Sequence, residues 1–237
     1  MTLFLSVVPA IAGSTDTAAF PFSEDDAENE FPVPSASGQE KETVKTEGTP
    51  SIGKWMYQKS GERADWLNIP YRGKRIYEPI NIIISDAFAK SPDEAEERLV
   101  KACALADYKN RYGHSADYLG LIAGDFRRQF PSKKRHAFSD KLFEEANNHG
   151  RVFGPVFYDG KYWFIAAFSR EKVGVAPKIV HKFVSFNQAR DNFAWLLDLK
   201  SDFKVRGFVQ LDNALIGSPD VSTGDHDGLA ILLSAEK

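Results

Sequence analysis

Cysteine is almost missing from this chain. Cys103 is the single one among 237 residues, so no internal disulfide can hold the fold and no zinc site built on paired thiolates is available. Methionine is nearly as scarce, at 2 residues. An excess of positive charge is missing too. The formal charge is −3 at pH 7, far from the basic field that nucleic-acid binding needs, and no nucleic-acid partner is expected. No apolar run reaches the length of a membrane-spanning helix. Motifs with a ready mechanism are absent as well: there is no HExxH, no EF-hand loop, no phosphate-cradling glycine loop and no nucleophile elbow around any serine.

What is present is apolar bulk of a particular kind. Hydrophobic residues make up 43% of the chain and 18 residues are Phe, enough to fill one substantial core. Rigid rings and β-branched side chains favour sheet. The opening stretch MTLFLSVVPAIAGST has a short apolar run and a small-x-small pattern at Ala10-Ile11-Ala12, although no Lys or Arg precedes it. Residues 1–22 are therefore expected to be the later part of a signal peptide, which implies a secreted or envelope-associated protein. Residues 23–53 are rich in Glu, Asp, Ser, Pro, Thr and Gly. They offer too little apolar surface to offset their ordering entropy and are expected to form a disordered linker. A single globular domain is expected over residues 54–237.

Within that domain, Tyr77–Ser85 (YEPINIIIS) is a continuous apolar run that suits an interior strand. Ser91, Pro92 and Glu94 then form a capping-box start for a helix whose apolar face is Ala95, Leu99, Ala102, Cys103 and Ala106. Cys103 on that face reads as a buried, inert thiol. Tyr118–Phe126 is apolar but broken by Gly120 and Gly124, and is compatible with a strand or a turn. FRRQFPSKKRH is a basic stretch that reads as a solvated loop. Asp159-Gly160 between two aromatic runs predicts a hairpin with a type I′ turn, and Pro155 predicts an edge or a bulge in its first strand. Lys178–Phe186 reads as a strand, with a helix following from a cap at Asn187. FKVRGFVQLD and GLAILLS read as two final strands. The order implies an α+β domain with a mixed, mainly antiparallel sheet and two or more packed helices.

Five histidines carry most of the chemistry that can be named. His149 and Arg151 alternate onto one face of the first hairpin strand, and pairing through the Asp159-Gly160 turn would set His149 opposite Arg170. His181, in the following strand, can approach the same end of the sheet. His114 lies in a Gly-His-Ser loop and His136 in the basic stretch. Asp225, His226 and Asp227 share a glycine-bounded loop whose chemistry suits a metal and whose composition also suits an ordinary turn.

Four of these segments, taken in order, resemble the LssY C-terminal-like domain family: Glu78-Pro79-Ile80-Asn81, His149-Gly150-Arg151-Val152-Phe153, the Gly160 to Ser169 hairpin strand, and His181 with Arg190-Asp191. The similarity covers residues 77–197. It departs where the family has a second histidine, an acidic residue and a Glu, here Val180, Phe183 and Ala189. The resemblance implies a bacterial envelope setting and no defined reaction. Two functions are expected from the residues. One is a binding module that takes a small anionic or polar ligand through His149, Arg151, His181, Arg190 and His114. The other is an ester or phosphoester hydrolase that uses a histidine base, or a metal at Asp225, His226 and Asp227. No cofactor is indicated.

Overall fold

The computed structural model describes residues 31–114, 117–131, 136–175 and 179–236. The expected signal peptide and the first part of the expected linker lie outside them. The described chain runs through β1 (Thr43–Val44), β2 (Ile52–Gln58), β3 (Arg75–Ile76), β4 (Ile82–Asp86), α1 (Pro92–Leu105), β5 (Lys109–Tyr112), β6 (Tyr118–Ile122), β7 (Asp125–Phe130) and β8 (His136–Ser139). It continues through β9 (Asn147–Tyr158), β10 (Lys161–Val175), β11 (Ile179–Ser185), α2 (Phe186–Lys200), β12 (Lys204–Gln210), β13 (Val221–Ser222) and β14 (Leu229–Ala235). The main sheet has the order β1-β2-β6-β7-β9-β10-β4-β14-β12; β11 joins β10, and β8 links β5 to β9. Pairing is antiparallel except for β4 with β14 and β3 with β13. This is an α+β domain with a mixed, mainly antiparallel sheet. None of its described helices is long and apolar enough to cross a membrane.

The continuous apolar run in β4 follows from cover on both faces. Ile82 and Ile84 pack with Leu99, Phe164, Phe168, Phe193 and Leu197 beneath the two helices. Ile83 points the other way and packs with Ile52, Met56, Phe153 and Ile165 beneath the curled N-terminal strands. Helix α1 starts as its sequence implies: the Ser91 side chain accepts from Glu94 N at 3.1 Å. The return arm differs, since the Glu94 carboxylate accepts from Lys90 N at 2.9 Å rather than from Ser91. For α2 the cap is Ser185, which accepts from Gln188 N, and not Asn187. Cys103 is fully buried on α1, and burial pushes its thiol pKa far up, in keeping with an inert role.

Two expectations need correction, and one left open is resolved. The segment read as linker is partly built into the fold. Thr43–Val44 pairs with β2, Glu42 accepts from Trp55 Nε1 at 2.7 Å and pairs with Arg63, and Phe31 and Ala36 pack on the core. Its polar side chains find specific partners, which composition does not reveal. The glycine-broken run Tyr118–Phe126 is a hairpin, β6–β7, turned at Ala123-Gly124 with φ of 55° and 85°. Part of the basic stretch is strand: β7 ends at Phe130 and β8 starts at His136, whose ring lies edge-on to Tyr112.

The β9–β10 hairpin forms with Asp159 and Gly160 at φ of 48° and 74°, as the turn chemistry demands. Pro155 marks a bulge, not an edge. Gly154 and Pro155 stand against Phe164 alone, because the pairing steps from Trp163↔Val156 to Ile165↔Phe153. Beyond the bulge, Ser169 and not Arg170 lies opposite His149. Farther along β10, the partner on its other edge changes from β4 to β11. Asn81 fills that gap: its amide donates to Phe168 O and accepts from Phe168 N, both at 2.9 Å. The asparagine thus completes the ladder where strand backbone is lacking.

Candidate functional site

The bulge decides which β10 side chains share a face with His149. With Ser169 opposite His149, Glu171 stands opposite Asn147, so Asn147, His149, Arg151, Ser169 and Glu171 occupy one face. Gly150 points to the other face, where a Cβ would lie 2.4 Å from the Phe168 ring. The His-Gly-Arg spacing is therefore a packing device: two polar side chains toward the site and no side chain where the ring sits. Strand β11 adds His181, opposite Val173 and next on that face to Glu171. The loop after β5 adds His114.

His114, His149, Arg151, Glu171 and His181 line a cavity of about 420 Å³ together with Leu67, Tyr112, Gly113 and Phe143. His114 and His149 stack with ring centroids 4.7 Å apart, and Phe143 stacks on His181 at 5.6 Å. Glu171 is the hub. Its Oε1 lies 2.9 Å from His181 Nδ1, 3.8 Å from His149 Nδ1 and 2.8 Å from Asn147 Nδ2. Asn147 Nδ2 also donates to Glu145 O, which turns its Oδ1 to His149 Nδ1 at 2.9 Å. That orientation assigns the Nδ1 proton to His149. Arg151 pairs with the buried Glu78 at 3.8 Å and lies over the Tyr118 ring.

Burial sets the protonation states. His114 is pushed down to about 3 by desolvation, with Arg151 and His181 adding to the effect. His149 is held well below the ordinary histidine range by burial first and then by His114 and Arg151. Both rings are neutral at pH 7 and carry a lone pair. Glu78 is pushed up to about 7 by burial, against the pull of Arg151. His114 is 6% exposed, and its Nε2 is buried without a hydrogen-bond partner.

The structure thus brings together four of the expected ligand residues, His114, His149, Arg151 and His181, and it separates the rest. Arg190 is not in the cavity. Its guanidinium grips Asp227 at 2.6 and 3.1 Å, pairs with Asp191 and donates to Leu229 O, which clamps α2 to the start of β14. Nor do Asp225, His226 and Asp227 converge. Asp225 caps α2, accepting from Phe186 N at 2.8 Å and from the Ser185 hydroxyl. His226 Nε2 meets Asn213 Oδ1 at 2.7 Å, and Asp227 is taken by Arg190. Each side chain of that loop serves the fold. Among the described residues the metal-competent group is a different one: His114, His149 and Glu171.

Glu171 was not among the residues expected from sequence. The signal that could have found it was the bulge implied by Pro155, since a one-residue shift exchanges Arg170 for Ser169 opposite His149 and turns Glu171 to the site face. Compared with protein families, with curated proteins and with solved structures, the chain matches none.

Proposed function

We propose that the cavity between β5, β9, β10 and β11 is the working site of this protein, and that it binds a small polar ligand bearing an anionic group. The observation that carries this reading is the buried, unpartnered Nε2 of His114, a residue that lines one cavity with His149, Arg151 and His181. A buried polar atom without a partner costs free energy unless something supplies one, and a ligand does. The volume suits a small metabolite. Arg151 supplies positive charge beside Glu78, whose carboxyl burial raises to about 7. The envelope setting implied by the opening sequence and by the family resemblance belongs to the same proposal.

Binding is preferred to catalysis by an enzyme-derived nucleophile. Among the described residues no serine, threonine or cysteine lines the cavity, and Ser169, 3.4 Å from His149 Nε2, is fully buried. Calorimetry with inorganic phosphate, acetate and citrate tests the reading. We expect saturable binding of at least one of them, weakened about tenfold or more by Arg151→Gln and by His114→Gln. Binding that is absent for all three, or indifferent to both substitutions, overturns it.

A further inference from the structure

The same cavity holds the makings of a metal centre. We propose that His114, His149 and Glu171 bind one divalent first-row transition cation, such as zinc, with open coordination positions facing the cavity. The inference rests on the cavity being the working site and adds what completes it.

Geometry carries the argument. One ligand atom from each of the three residues lies within 4.8 Å of the other two, although the residues come from a loop and two neighbouring strands. Zinc–nitrogen bonds of about 2.0–2.1 Å place tetrahedral ligands roughly 3.3 Å apart, so rotations moving each atom by about an ångström would close the site. Two imidazoles and one carboxylate are a donor set that zinc, iron(II), cobalt(II) and manganese(II) accept. Three protein ligands leave room for exchangeable ones, whereas structural zinc sites use four.

The surroundings supply independent support. His114 Nε2 has no hydrogen-bond partner while 94% of the residue is buried, a state that a cation at that atom would resolve. Asn147 links two of the three ligands, accepting from His149 Nδ1 and donating to Glu171 Oε1. A metal-bound histidine ordinarily gives its second ring nitrogen to such a carbonyl, which fixes ring and tautomer. His181, 2.9 Å from the same Glu171 oxygen and braced by Phe143, orients the carboxylate from the cavity mouth. Without a cation, Glu171 opposes an anionic ligand; with one bound, the positive charge beside Arg151 favours it.

The test uses the full chain, stripped with chelator and titrated with cobalt(II) and zinc in phosphate-free buffer. One equivalent of cobalt(II) is expected to give visible d–d absorption that one equivalent of zinc displaces. His114→Gln and Glu171→Gln should each weaken binding by more than tenfold, and Asn147→Ala by about 10–100-fold. Asp227→Asn, in the Arg190 clamp, should leave it unchanged. Circular dichroism confirms that each variant is folded, and His114→Gln, on a loop, decides the matter if Glu171→Gln does not fold. No saturable binding, or one-to-one binding that His114→Gln leaves intact, overturns the inference. Its failure is distinct from that of the ligand reading: Arg151-dependent phosphate binding without metal would sink the cation alone, and metal binding without any anion would sink the anion alone.

Discussion

His114 and His226 are both buried imidazoles held neutral by desolvation, each with one ring nitrogen lacking a hydrogen bond, but His114 lines a cavity whereas His226 is bonded into the fold. His226 Nε2 bonds Asn213 Oδ1 at 2.7 Å, and Asn213 in turn donates to Lys54 O and Ile80 O. That ring belongs to a chain of bonds that seats the C-terminal loop. His226→Ala should cost about 1–3 kcal/mol near pH 7, because it leaves the amide oxygen of Asn213 buried without a donor. Its pH dependence has a definite sign. Burial lowers His226 to about 4, with Asp227 opposing, whereas the unfolded chain titrates near 6.5. Between those values the unfolded state holds a proton that the folded state lacks, so this contribution is full above pH 6.5 and is lost as pH falls toward 4. The wild-type advantage over His226→Ala in urea melts should therefore shrink across that interval, by at most about 1.4 kcal/mol per pH unit. A difference that stays constant from pH 7.5 to 4.5 would contradict it. At this scale the imidazoles are visible in sequence, but their employment is not. Asp225, His226 and Asp227 look like ligands because nothing local shows that a helix N-terminus, an asparagine and an arginine wait for them.

Elements show where legibility improves and where it stops. The β9–β10 hairpin was readable from Asp159-Gly160 between two aromatic runs, and α1 from its cap and face. The register was not readable, because one extra residue at Gly154-Pro155 changes every pairing beyond it. Gly150 is where register and packing meet. Gly150→Ala forces a methyl group against the Phe168 ring and should destabilise the protein by about 1–3 kcal/mol, measured by urea melt. It should also weaken cobalt(II) binding, since the strand segment that moves carries His149. Helix α2 gives the converse case. Asp225→Ala removes the acceptor of Phe186 N and a negative charge at the positive end of the helix, at a cost of about 1–2 kcal/mol. Cobalt(II) affinity should not change. A loss of affinity without a loss of stability would return that loop to the list of metal ligands.

The whole molecule is a sheet covered on both faces, and the N-terminal segment supplies part of the second cover. Its fold class followed from the order of strand and helix patterns, whereas its boundary did not, because residues 31–51 have the composition of a linker. Polar residues can still be ordered when each meets a fixed partner. Glu42 meets Trp55 and Arg63, Phe31 O accepts from Arg128, and Val44 packs on the core behind β2. A chain that begins at Ser51 keeps β2 but loses all of these contacts. If residues 31–50 were a tether, its melting temperature would equal that of the full chain. With hydrogen bonds to the charged Glu42 and an apolar patch removed, the loss should be about 2–4 kcal/mol. For a domain of this size that lowers the melting temperature by roughly 5–15 °C. In the order of strands within the sheet, β6 and β7 stand between the β1–β2 pair and the β9–β11 strands that carry the site. Cobalt(II) affinity of the shortened chain, measured well below its melting temperature, should therefore match the full chain. A shortened chain that melts unchanged would make the segment a linker after all, and one that loses cobalt(II) while folded would show the two halves of the sheet to be coupled.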